Sequence, residues 1–204
     1  MLGAATRDRQ AERREATRAE ILDAAWRIAR DKGLADLTLR DVGAHVGMRA
    51  PSLYSYFDSK NAIYDAMFGQ AWSDYLAVIE TVLPALPRTP RPALKQIAHT
   101  FFDFAVADLA RHQLMNQRTI SGFVPSSASY APALEVLGST REAIRRLGVE
   151  DASQFDLFTA LVGGLVDAQQ ANDPGGNRWE RLLDQAVDMF CDHIRLPGGR
   201  GRPA

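Results

Sequence analysis

Hydrophobic residues recur with a helical period along most of the chain. Between Ile21 and Ala29 they are spaced at i, i+3, i+4, i+7 and i+8, which places them on one face of an α-helix. Thr17 and Glu20 have the spacing of a capping box ahead of this stripe, and Gly33 is placed to end the helix. A start within residues 11–15 is the alternative. The pattern therefore predicts a first helix that ends just before Gly33.

Start and stop signals divide the rest of the chain into further helices. Thr38 with Asp41 marks the start of a second helix, Pro51 fits the first turn of a third, and Asp58 and Ser59 precede a fourth. The fourth to ninth helices are predicted at residues 60–83, 92–111, 113–120, 130–147, 152–171 and 179–194. No strand pattern and no internal repeat occurs in the sequence. We therefore expect an all-α protein of about nine helices, with a small N-terminal unit and a larger C-terminal bundle.

Composition narrows the class of protein without identifying it. The chain has 204 residues, of which 46% are hydrophobic and 24% are charged, as in a folded globular protein of one large or two small domains. Its one cysteine, Cys191, cannot form an intrachain disulfide. The first ten residues lack the apolar run of a secretory signal, and no apolar run approaches the ~20 residues of a membrane-spanning helix. We expect a cytoplasmic protein without a membrane partner.

The charges are spread almost evenly along the chain, which has a net charge of −1. The first 60 residues carry 11 Lys and Arg against 9 Asp and Glu, and the remainder carries 13 against 16. This asymmetry fits a nucleic-acid surface and ordinary solvated helix faces equally well. Charge alone therefore does not identify a partner.

The segment Leu37–Ile63 has the layout of a helix-turn-helix. A short capped helix is followed by a turn at Gly47 and Met48 and then by a second short helix. In DNA-binding proteins of this layout, the second helix enters the major groove. Because two short helices joined by a glycine turn are common in helical proteins, the layout alone does not establish DNA binding.

The residues of this segment are more specific than its layout. The sequence from Thr38 to Lys60 is TLRDVGAHVGMRAPSLYSYFDSK, and it resembles the N-terminal signature of the TetR (tetracycline-repressor) family. The likeness in motif covers about Arg18 to Tyr64, and beyond it only the helical layout and the length are similar. The resemblance implies a helix-turn-helix DNA-binding domain at residues 1–63, a ligand-binding and dimerisation domain at 64–196, and a disordered tail at 197–204.

The candidate DNA contacts lie in this segment and just before it. Small and polar residues at the start of the second short helix are placed to reach base edges, and an arginine there can bond guanine bidentately. Tyrosine hydroxyls can reach phosphates, and Thr38 and Lys60 lie at helix N-termini, which favour phosphate. The candidates are Arg14, Arg18, Thr38, Arg40, Arg49, Ala50, Pro51, Ser52, Tyr54, Ser55, Tyr56 and Lys60.

Four positions depart from the pattern of the family that the segment resembles. Arg49 stands where serine is usual, Ala50 where a polar or basic residue is common, and Tyr56 where histidine is usual. These changes leave the sequence of the DNA target unpredictable. Gly43 stands where the family usually has alanine, a change that costs about 1 kcal/mol in a helix interior.

A run of arginines precedes the predicted first helix. The run consists of Arg7, Arg9, Arg13, Arg14 and Arg18, and such an arm can contact the phosphate backbone or the minor groove, as in homeodomains. Acidic residues are interleaved with it, which slightly favours a frayed and solvated terminus instead. Only Arg14 and Arg18 are retained as candidate contacts.

The resemblance also implies a dimer joined through the last two helices. Small residues recur every four positions in the predicted helix 152–171, and they would let two helices approach closely around a two-fold axis. The predicted interface residues are Leu157, Ala160, Leu161, Gly164, Ala168, Leu183, Ala186, Val187 and Phe190. Close packing within one chain is the alternative interpretation.

A small-molecule site in the C-terminal domain is a further implication of the resemblance. Aromatic and polar residues spread over several helices are the guide to it: Trp72, Tyr75, Phe101, Phe104, His112, Met115, Phe123, Phe158 and Gln169. An apolar pocket with a few converging polar groups suits a largely apolar or aromatic effector. Each of these aromatic residues, taken alone, is more typical of an ordinary core.

The resemblance implies a sequence-specific repressor that binds a palindromic operator as a homodimer and is released by its effector. Activation fits the same sequence. The four histidines and Cys191 lack metal-ligand spacing, and no phosphate loop, nucleophile elbow or dinucleotide motif occurs. We therefore expect no enzyme, no cofactor and no metal. The net charge near zero disfavours a DNA-binding protein without sequence preference, since that mode depends on phosphate neutralisation.

Overall fold

The computed structural model describes residues 3–197, with side chains described from residue 9 onward. Within them the fold is all-α, as predicted. The nine α-helices are α1 (Gly3–Lys32), α2 (Leu39–His45), α3 (Ala50–Leu53), α4 (Lys60–Val82), α5 (Pro90–Val106), α6 (Leu109–Asn116), α7 (Ser127–Arg146), α8 (Ala152–Asn172) and α9 (Leu183–His193). Short 3₁₀ turns follow α4 and precede α9. The predicted disordered tail, apart from Pro197, and the side chain of Arg7 lie outside the described residues.

The first helix begins far upstream of its predicted cap. Because α1 starts at Gly3, the predicted capping box at Thr17 is wrong. The Thr17 hydroxyl donates instead to the carbonyl oxygen of Arg13, 3.0 Å away, as serine and threonine do within helices. The arginine-rich segment is therefore part of α1 and not an arm ahead of it. The predicted end is confirmed, since Gly33 adopts a φ of +90° and its N–H bonds to Ala29.

Several other helix boundaries also differ from the prediction, among them the start of α9, which is Leu183 instead of residue 179. The single helix predicted at residues 92–111 is divided after Val106, and α6 begins at Leu109. Residues 117–120, predicted to be helical, lie in the loop that leads to α7. The start of α7 is fixed by Asp65, whose carboxylate accepts from the N–H of Ser126 at 2.6 Å and from the hydroxyls of Ser126 and Ser129 at 2.8 Å. Contacts between distant residues, not local pattern, set this boundary.

The chain divides into two compact units, each with its own core. Unit 1 comprises Met1–Ala71 and Ala110–Tyr130, and unit 2 comprises Trp72–Leu109 and Ala131–Ala204. This division is based on packing within the chain. The boundary predicted at residue 63 separates a DNA-binding domain from a ligand-binding and dimerisation domain, and it stays a prediction. None of the described helices is long and apolar enough to cross a membrane.

Unit 1 is built around the apolar stripe of α1. Ile21 and Ala25 are fully buried, as are Leu37 from the loop before α2, Val42 and Leu53 from the short helices, and Ile63 from α4. Tyr64 is also fully buried, and its hydroxyl donates to the carbonyl oxygen of Leu34 at 2.5 Å. Burial raises the pKa of Tyr64 to about 12. These contacts fix the helix-turn-helix against both α1 and the start of α4.

Unit 2 holds its core between α5, α8 and α9. The fully buried side chains there include Leu94, Val166, Leu183 and Val187. Along the edge of this core, basic side chains of α5 face acidic side chains of α9: Arg91 contacts Asp192 at 2.5 Å, Lys95 contacts Asp188 at 2.8 Å, and His99 contacts Asp184 at 3.0 Å. Regular spacing at i, i+4 and i+8 on both helices produces this array.

The Lys95–Asp188 pair of this array should make the stability of unit 2 depend on pH in acid. The hydrogen bond from Lys95 holds the pKa of Asp188 below its ordinary value, so the pair stabilises the fold above about pH 4 and this stability is lost as pH falls through the lowered pKa. Asp188→Asn is expected to lower the free energy of unfolding at pH 7 by no more than about 1 kcal/mol, because both groups are partly exposed, and so to lower the melting temperature slightly. Near pH 2 we expect the difference from the native chain to disappear.

Circular dichroism melts at several pH values test this expectation. Asp156→Asn, which removes a carboxylate of α8 outside the array, serves as the control and should leave the melting temperature nearly unchanged. A stability difference between the native chain and Asp188→Asn that is the same at pH 7 and near pH 2 would contradict the assignment.

Candidate functional site

The first helix of the helix-turn-helix is capped as predicted. Thr38 has extended backbone angles, and its hydroxyl oxygen accepts from the N–H of Asp41 at 3.1 Å. The same hydroxyl donates to the Asp41 carboxylate at 2.9 Å, and Lys32 lies 3.3 Å from that carboxylate. The Thr38 hydrogen bond, with Lys32, holds the pKa of Asp41 below its ordinary range. The Thr38 side chain is thus already engaged in capping α2.

A close backbone approach forms the turn between α2 and α3. Gly47 has a φ of +68°, and the N–H of Met48 bonds to the carbonyl oxygen of Gly43 at 2.8 Å. A Cβ atom on Gly43 would lie 2.7 Å from the carbonyl oxygen of Met48 and 3.3 Å from the amide nitrogen of Ala50. The glycine at position 43 is therefore required by the turn, and its cost in helix propensity is offset by this fit.

Replacing Gly43 with alanine is expected to destabilise unit 1 by about 1–2 kcal/mol. The clash with the backbone of Met48 costs about 1–3 kcal/mol, and the better helix propensity of alanine returns at most about 1 kcal/mol. Thermal unfolding measures the change. Gly138→Ala in α7 is the matched control because a Cβ at that position meets no atom within 4 Å, so it should be neutral or stabilising. An equal gain in stability in both variants would contradict the close approach of position 43 to the backbone of Met48.

Most of the predicted DNA contacts lie on the exposed side of this segment. Thr38, Arg40, Arg49, Pro51, Ser52, Tyr54 and Ser55 are exposed, and Ala50, Tyr56 and Lys60 are partly buried. The opposite side carries Leu53 and Phe57, which are buried. The second helix is short: α3 ends at Leu53. Phe57 lies just beyond it, and the N–H of Phe57 bonds to the carbonyl oxygen of Leu53 at 2.9 Å. A compact, exposed polar surface results.

Two arginines of α1 hold the residues just after α3 in place. Arg14 donates to the carbonyl oxygen of Ser55 at 2.6 Å, and Arg18 donates to the carbonyl oxygen of Tyr56. The guanidinium of Arg18 also lies over the ring of Phe57, 4.2 Å from its centroid, and that of Arg14 lies 5.4 Å from the centroid of the Tyr56 ring. These side chains, predicted as DNA contacts, bind the protein's own recognition segment.

Lys60 is used in a similar way at the start of α4. Its ammonium group donates to the carbonyl oxygen of Ala35 at 3.2 Å and lies 5.3 Å from the centroid of the Tyr64 ring. The next cap is confirmed as well, since the N–H of Ala62 bonds to the hydroxyl of Ser59 at 3.1 Å. The helix-turn-helix is thus tied to both flanking helices by side chains that the sequence alone placed on DNA.

The residues predicted to bind a ligand do not form one site. In unit 2, Tyr75 is buried against Phe101 and Phe104, with ring centroids 5.8 and 4.7 Å away, and Trp72 lies 6.3 Å from it. Burial raises the pKa of Tyr75 well above its ordinary value. Phe158 packs on Phe190 at 5.4 Å in the core. These aromatic residues fill the interior of unit 2.

The two predicted polar ligand contacts have structural partners instead. Gln169 is buried, and its side-chain oxygen accepts from the N–H of Trp179 at 2.9 Å while its amide donates to the carbonyl oxygen of Asp173. His112 is buried in unit 1, and its Nδ1 lies 3.2 Å from the amide nitrogen of Asn116. Both side chains hold neighbouring turns in place.

Met115 and Phe123, the remaining two of the predicted set, line a cavity of about 480 Å³. All its lining residues belong to unit 1: Phe68, Leu114, Met115, Asn116, Gln117, Arg118, Ile120, Ser121, Gly122, Phe123, Val124, Pro125 and Tyr130. Sequence analysis missed Phe68, Arg118 and Tyr130 as site residues. Phe68 lies within the helix predicted at residues 60–83 and Tyr130 at the start of the helix predicted at residues 130–147, and no local signal joins them. No cluster of His, Cys, Asp and Glu side chains suited to a metal occurs in the described chain.

The predicted dimer face is only partly available on the surface. On α8, Ala160 and Gly164 are exposed, Leu157 is 47% exposed, and Ala168 and Leu161 are partly buried. On α9, by contrast, Leu183, Val187 and Phe190 are buried in the core of their own chain, and Ala186 is partly buried. The three buried residues are therefore not free to contact a second chain in this conformation. Met189, 64% exposed, is the large apolar side chain that α9 presents.

A family model matches the N-terminal part of the chain. Residues 21–67 match the model described as bacterial regulatory proteins of the tetR family. This segment contains the whole helix-turn-helix, the capped α2, the glycine turn and the start of α4. No curated protein sequence matches the chain.

Solved structures share the fold over most of the chain. A protein of unknown function from Rhodococcus sp. RHA1 is 17% identical with a TM-score of 0.72, covering 86% of this chain and 93% of its own. A TetR family transcription regulator from Marinobacter aquaeolei VT8 is 16% identical with a TM-score of 0.64, covering 89% and 97%. The transcriptional regulator FadR from Bacillus subtilis, in complex with stearoyl-CoA, is 14% identical with a TM-score of 0.63, covering 84% and 96%.

Proposed function

The chain belongs to the TetR family of bacterial transcriptional regulators, and we propose that it binds a palindromic operator as a homodimer and leaves it when a small effector binds. Regulators of this family act by binding DNA and are not enzymes. Repression follows where the operator overlaps a promoter, and the site of action is then the bacterial cytoplasm.

The exposed recognition segment carries the proposal. Residues 49–56 present an arginine, hydroxyl groups and a half-exposed tyrosine, Tyr54, at one surface, while Leu53 and Phe57 anchor the segment from below. Small and polar side chains at the N-terminal end of a second helix are what a major groove about 12 Å wide admits. Arg49 is the residue placed to bond guanine, and Tyr54 is placed to reach a phosphate.

A homodimer would provide the second recognition segment that a palindromic operator requires. Two such segments must be held about 34 Å apart, or a multiple of it, to occupy successive major grooves. The exposed stripe of α8, with Leu157 at one end and small residues beyond it, is the surface we assign to this dimer. Close approach of two helices along small residues gives a self-complementary contact around a two-fold axis.

The cavity of unit 1 is the site that we assign to the effector. Its walls are mainly apolar, and its volume is in the range of small-molecule sites, about 300–1,000 Å³. The FadR structure from Bacillus subtilis contains stearoyl-CoA, so a protein of this fold accommodates an amphipathic ligand. We infer an effector with a largely apolar or aromatic body, which would lower DNA affinity only by binding more tightly to the conformation that is unable to bind DNA.

Binding of the purified protein to the DNA that flanks its own gene tests the proposal. Fluorescence anisotropy at two salt concentrations, with unrelated DNA of equal length for comparison, should detect tight binding to the flanking DNA alone. The double variant Arg49→Ala with Tyr54→Ala is expected to lose about 2 kcal/mol or more of this binding, since one bidentate base contact and one phosphate contact are removed.

Arg88→Ala supplies the control for charge. Arg88 is exposed in unit 2, and its removal changes the net charge without altering the recognition segment. Equal and strongly salt-dependent binding to both DNAs would instead indicate association through phosphates alone. Unchanged binding by the double variant would refute the assignment of the recognition surface.

A further inference from the structure

The cavity of unit 1 contains one charged side chain, which indicates the chemical class of its ligand more closely than the apolar walls do. Arg118, in the loop between α6 and α7, is the single charged residue that lines it. Among the described residues no Asp or Glu lines the cavity, and Arg118 has no hydrogen bond or ion pair with any of them. Arg118 is exposed at this cavity, so its guanidinium is available to pair with an anionic group of a ligand bound there.

Aromatic rings also line the cavity. Phe68 stacks on Tyr130, with ring centroids 5.8 Å apart and an angle of 9° between their planes, and Phe123 lies edge-on to Phe68 at 6.4 Å. Leu114 and Met115 are buried beside them. Such a surface favours an apolar or aromatic body, because burying it removes apolar area from water.

We propose that this cavity binds a small amphipathic carboxylate, with its apolar or aromatic body against Phe68, Phe123 and Tyr130 and its carboxylate paired with Arg118. This assignment rests on the proposed function, because it specifies the chemical class of the effector. A neutral ligand would gain no ion pair from the exposed guanidinium, and a cation would be repelled by it.

The loop that carries Arg118 is anchored to α4. The carboxylate of Asp65 bonds the N–H and hydroxyl of Ser126 and the hydroxyl of Ser129 at 2.6–2.8 Å. Gly69 allows the same close approach, since a Cβ there would lie 3.3 Å from Ser129. The far end of the loop is therefore held in place, while residues 118–120 lie outside any helix and follow Gln117, whose N–H bonds to the carbonyl oxygen of Gln113 at 3.0 Å.

A ligand in this cavity would also act on the DNA-binding helices through direct contacts inside unit 1. Phe123, a lining residue, packs against Tyr64 with ring centroids 5.8 Å apart. Tyr64 in turn donates a hydrogen bond to the carbonyl oxygen of Leu34, just before α2. A shift of Phe123 on ligand binding therefore reaches the link between α1 and α2 through a single intervening side chain.

Three probes with one carbon skeleton and different head groups test the proposal on the full chain. Isothermal titration with 4-phenylbutanoate, 4-phenylbutan-1-ol and 4-phenylbutylammonium should give an order of affinity carboxylate, then alcohol, then ammonium. The carboxylate should bind about tenfold more tightly than the alcohol, as expected for a charge-assisted hydrogen bond. The ammonium should show no binding at about 1 mM.

Variants separate the head group from the body of the ligand. Arg118→Gln should lower the affinity of the carboxylate to that of the alcohol and leave the alcohol unchanged. Tyr130→Ala, in which a 40% exposed ring is removed, should weaken both. Arg27→Gln, which removes an exposed charge of α1 outside the cavity, is the matched control and should change neither.

Equal binding of the three probes would overturn the proposal, as would carboxylate affinity that survives Arg118→Gln or carboxylate binding that is absent at about 1 mM. Operator binding measured on the same proteins keeps the two hypotheses distinct. If the carboxylate binds as stated but no DNA does, the proposed function fails and the ligand class stands. If DNA binds selectively and the affinities of the three head groups do not differ, the proposed function stands and the ligand class fails.

Discussion

The Arg18→Ala protein is expected to bind operator DNA at least about tenfold more weakly than the native chain, with an unchanged dependence on salt. Arg18 donates to the carbonyl oxygen of Tyr56 and lies 4.2 Å from the centroid of the Phe57 ring. A hydrogen bond from a charged donor contributes about 1.5–3 kcal/mol, and a partly buried cation–π contact adds ~1 kcal/mol. Even half of this, lost from the alignment of the recognition segment, amounts to a factor of about ten.

The salt dependence of binding distinguishes positioning from phosphate contact. A side chain that neutralises a phosphate contributes about 0.9 to the slope of log K against log of salt concentration, and its loss reduces that slope. Arg18 binds its own chain and is only about one-third exposed, so we expect the slope to stay constant. Fluorescence anisotropy over a range of salt concentrations gives both the affinity and the slope.

Matched substitutions on the same helix complete this test. Arg13→Ala removes the same charge from α1, and the Arg13 side chain makes no contact with residues 55–57. We do not expect this variant to combine a loss of DNA affinity with an unchanged salt slope, as Arg18→Ala should. Arg18→Lys keeps the charge but not the planar guanidinium, so it should recover only part of the affinity. A slope that falls by about 0.9 in Arg18→Ala would show a phosphate contact and refute the positioning role.

Features set by neighbouring residues were predictable from the sequence. The cap at Thr38, the stop at Gly33 and the turn at Gly47 depend on contacts within about four residues, and each is confirmed. The apolar stripe of α1 is likewise local, and its buried face follows from spacing alone. The all-α class follows from the same periodicity.

Features set by distant contacts were not predictable. The start of α1 was placed too late because a capping pattern at Thr17 looks the same inside a long helix as at its end. The engagement of Arg14 and Arg18 with Ser55 and Tyr56 joins residues about 40 positions apart. A basic residue near a DNA-binding motif is equally consistent with phosphate contact and with support of the motif, and only the fold distinguishes them.

The candidate ligand site shows the same limit. Phe68 and Tyr130 form its stacked wall from two helices separated by some 60 residues, and nothing in either local sequence indicates the pairing. Aromatic residues were chosen for their type, and most of them, such as Tyr75 and Phe158, fill a core instead. On α9, the stripe of Leu183 and Val187 has the spacing of an interface, but periodicity cannot tell a partner's helix from a helix of the same chain.

The Gly164→Arg protein is expected to be monomeric and to bind operator DNA about a hundredfold more weakly. Gly164 lies on the exposed stripe of α8 with Ala160 and Leu157, where we assign the dimer contact. An arginine there would prevent two helices from approaching closely and would place like charges opposite one another across a two-fold axis. Loss of the second recognition segment removes an avidity of about 10²–10⁴.

The fold itself should tolerate this substitution. A Cβ on Gly164 meets no atom within 4 Å in its own chain, and glycine is a poor helix former, so the melting temperature of the monomer should not fall for local reasons. Analytical ultracentrifugation measures the oligomeric state, circular dichroism the fold, and fluorescence anisotropy the DNA affinity. If dimerisation contributes to stability, the melting temperature should rise with protein concentration for the native chain but not for Gly164→Arg.

Gly138→Arg is the matched control for this experiment. Gly138 is an exposed glycine of α7 at which a Cβ would meet no atom within 4 Å, and it lies outside the assigned interface. It receives the same charge and the same side chain, so it should remain dimeric and retain operator affinity. If Gly164→Arg also stays dimeric, the stripe on α8 is not the dimer contact, and the exposed Leu157 and Met189 must then be explained in another way.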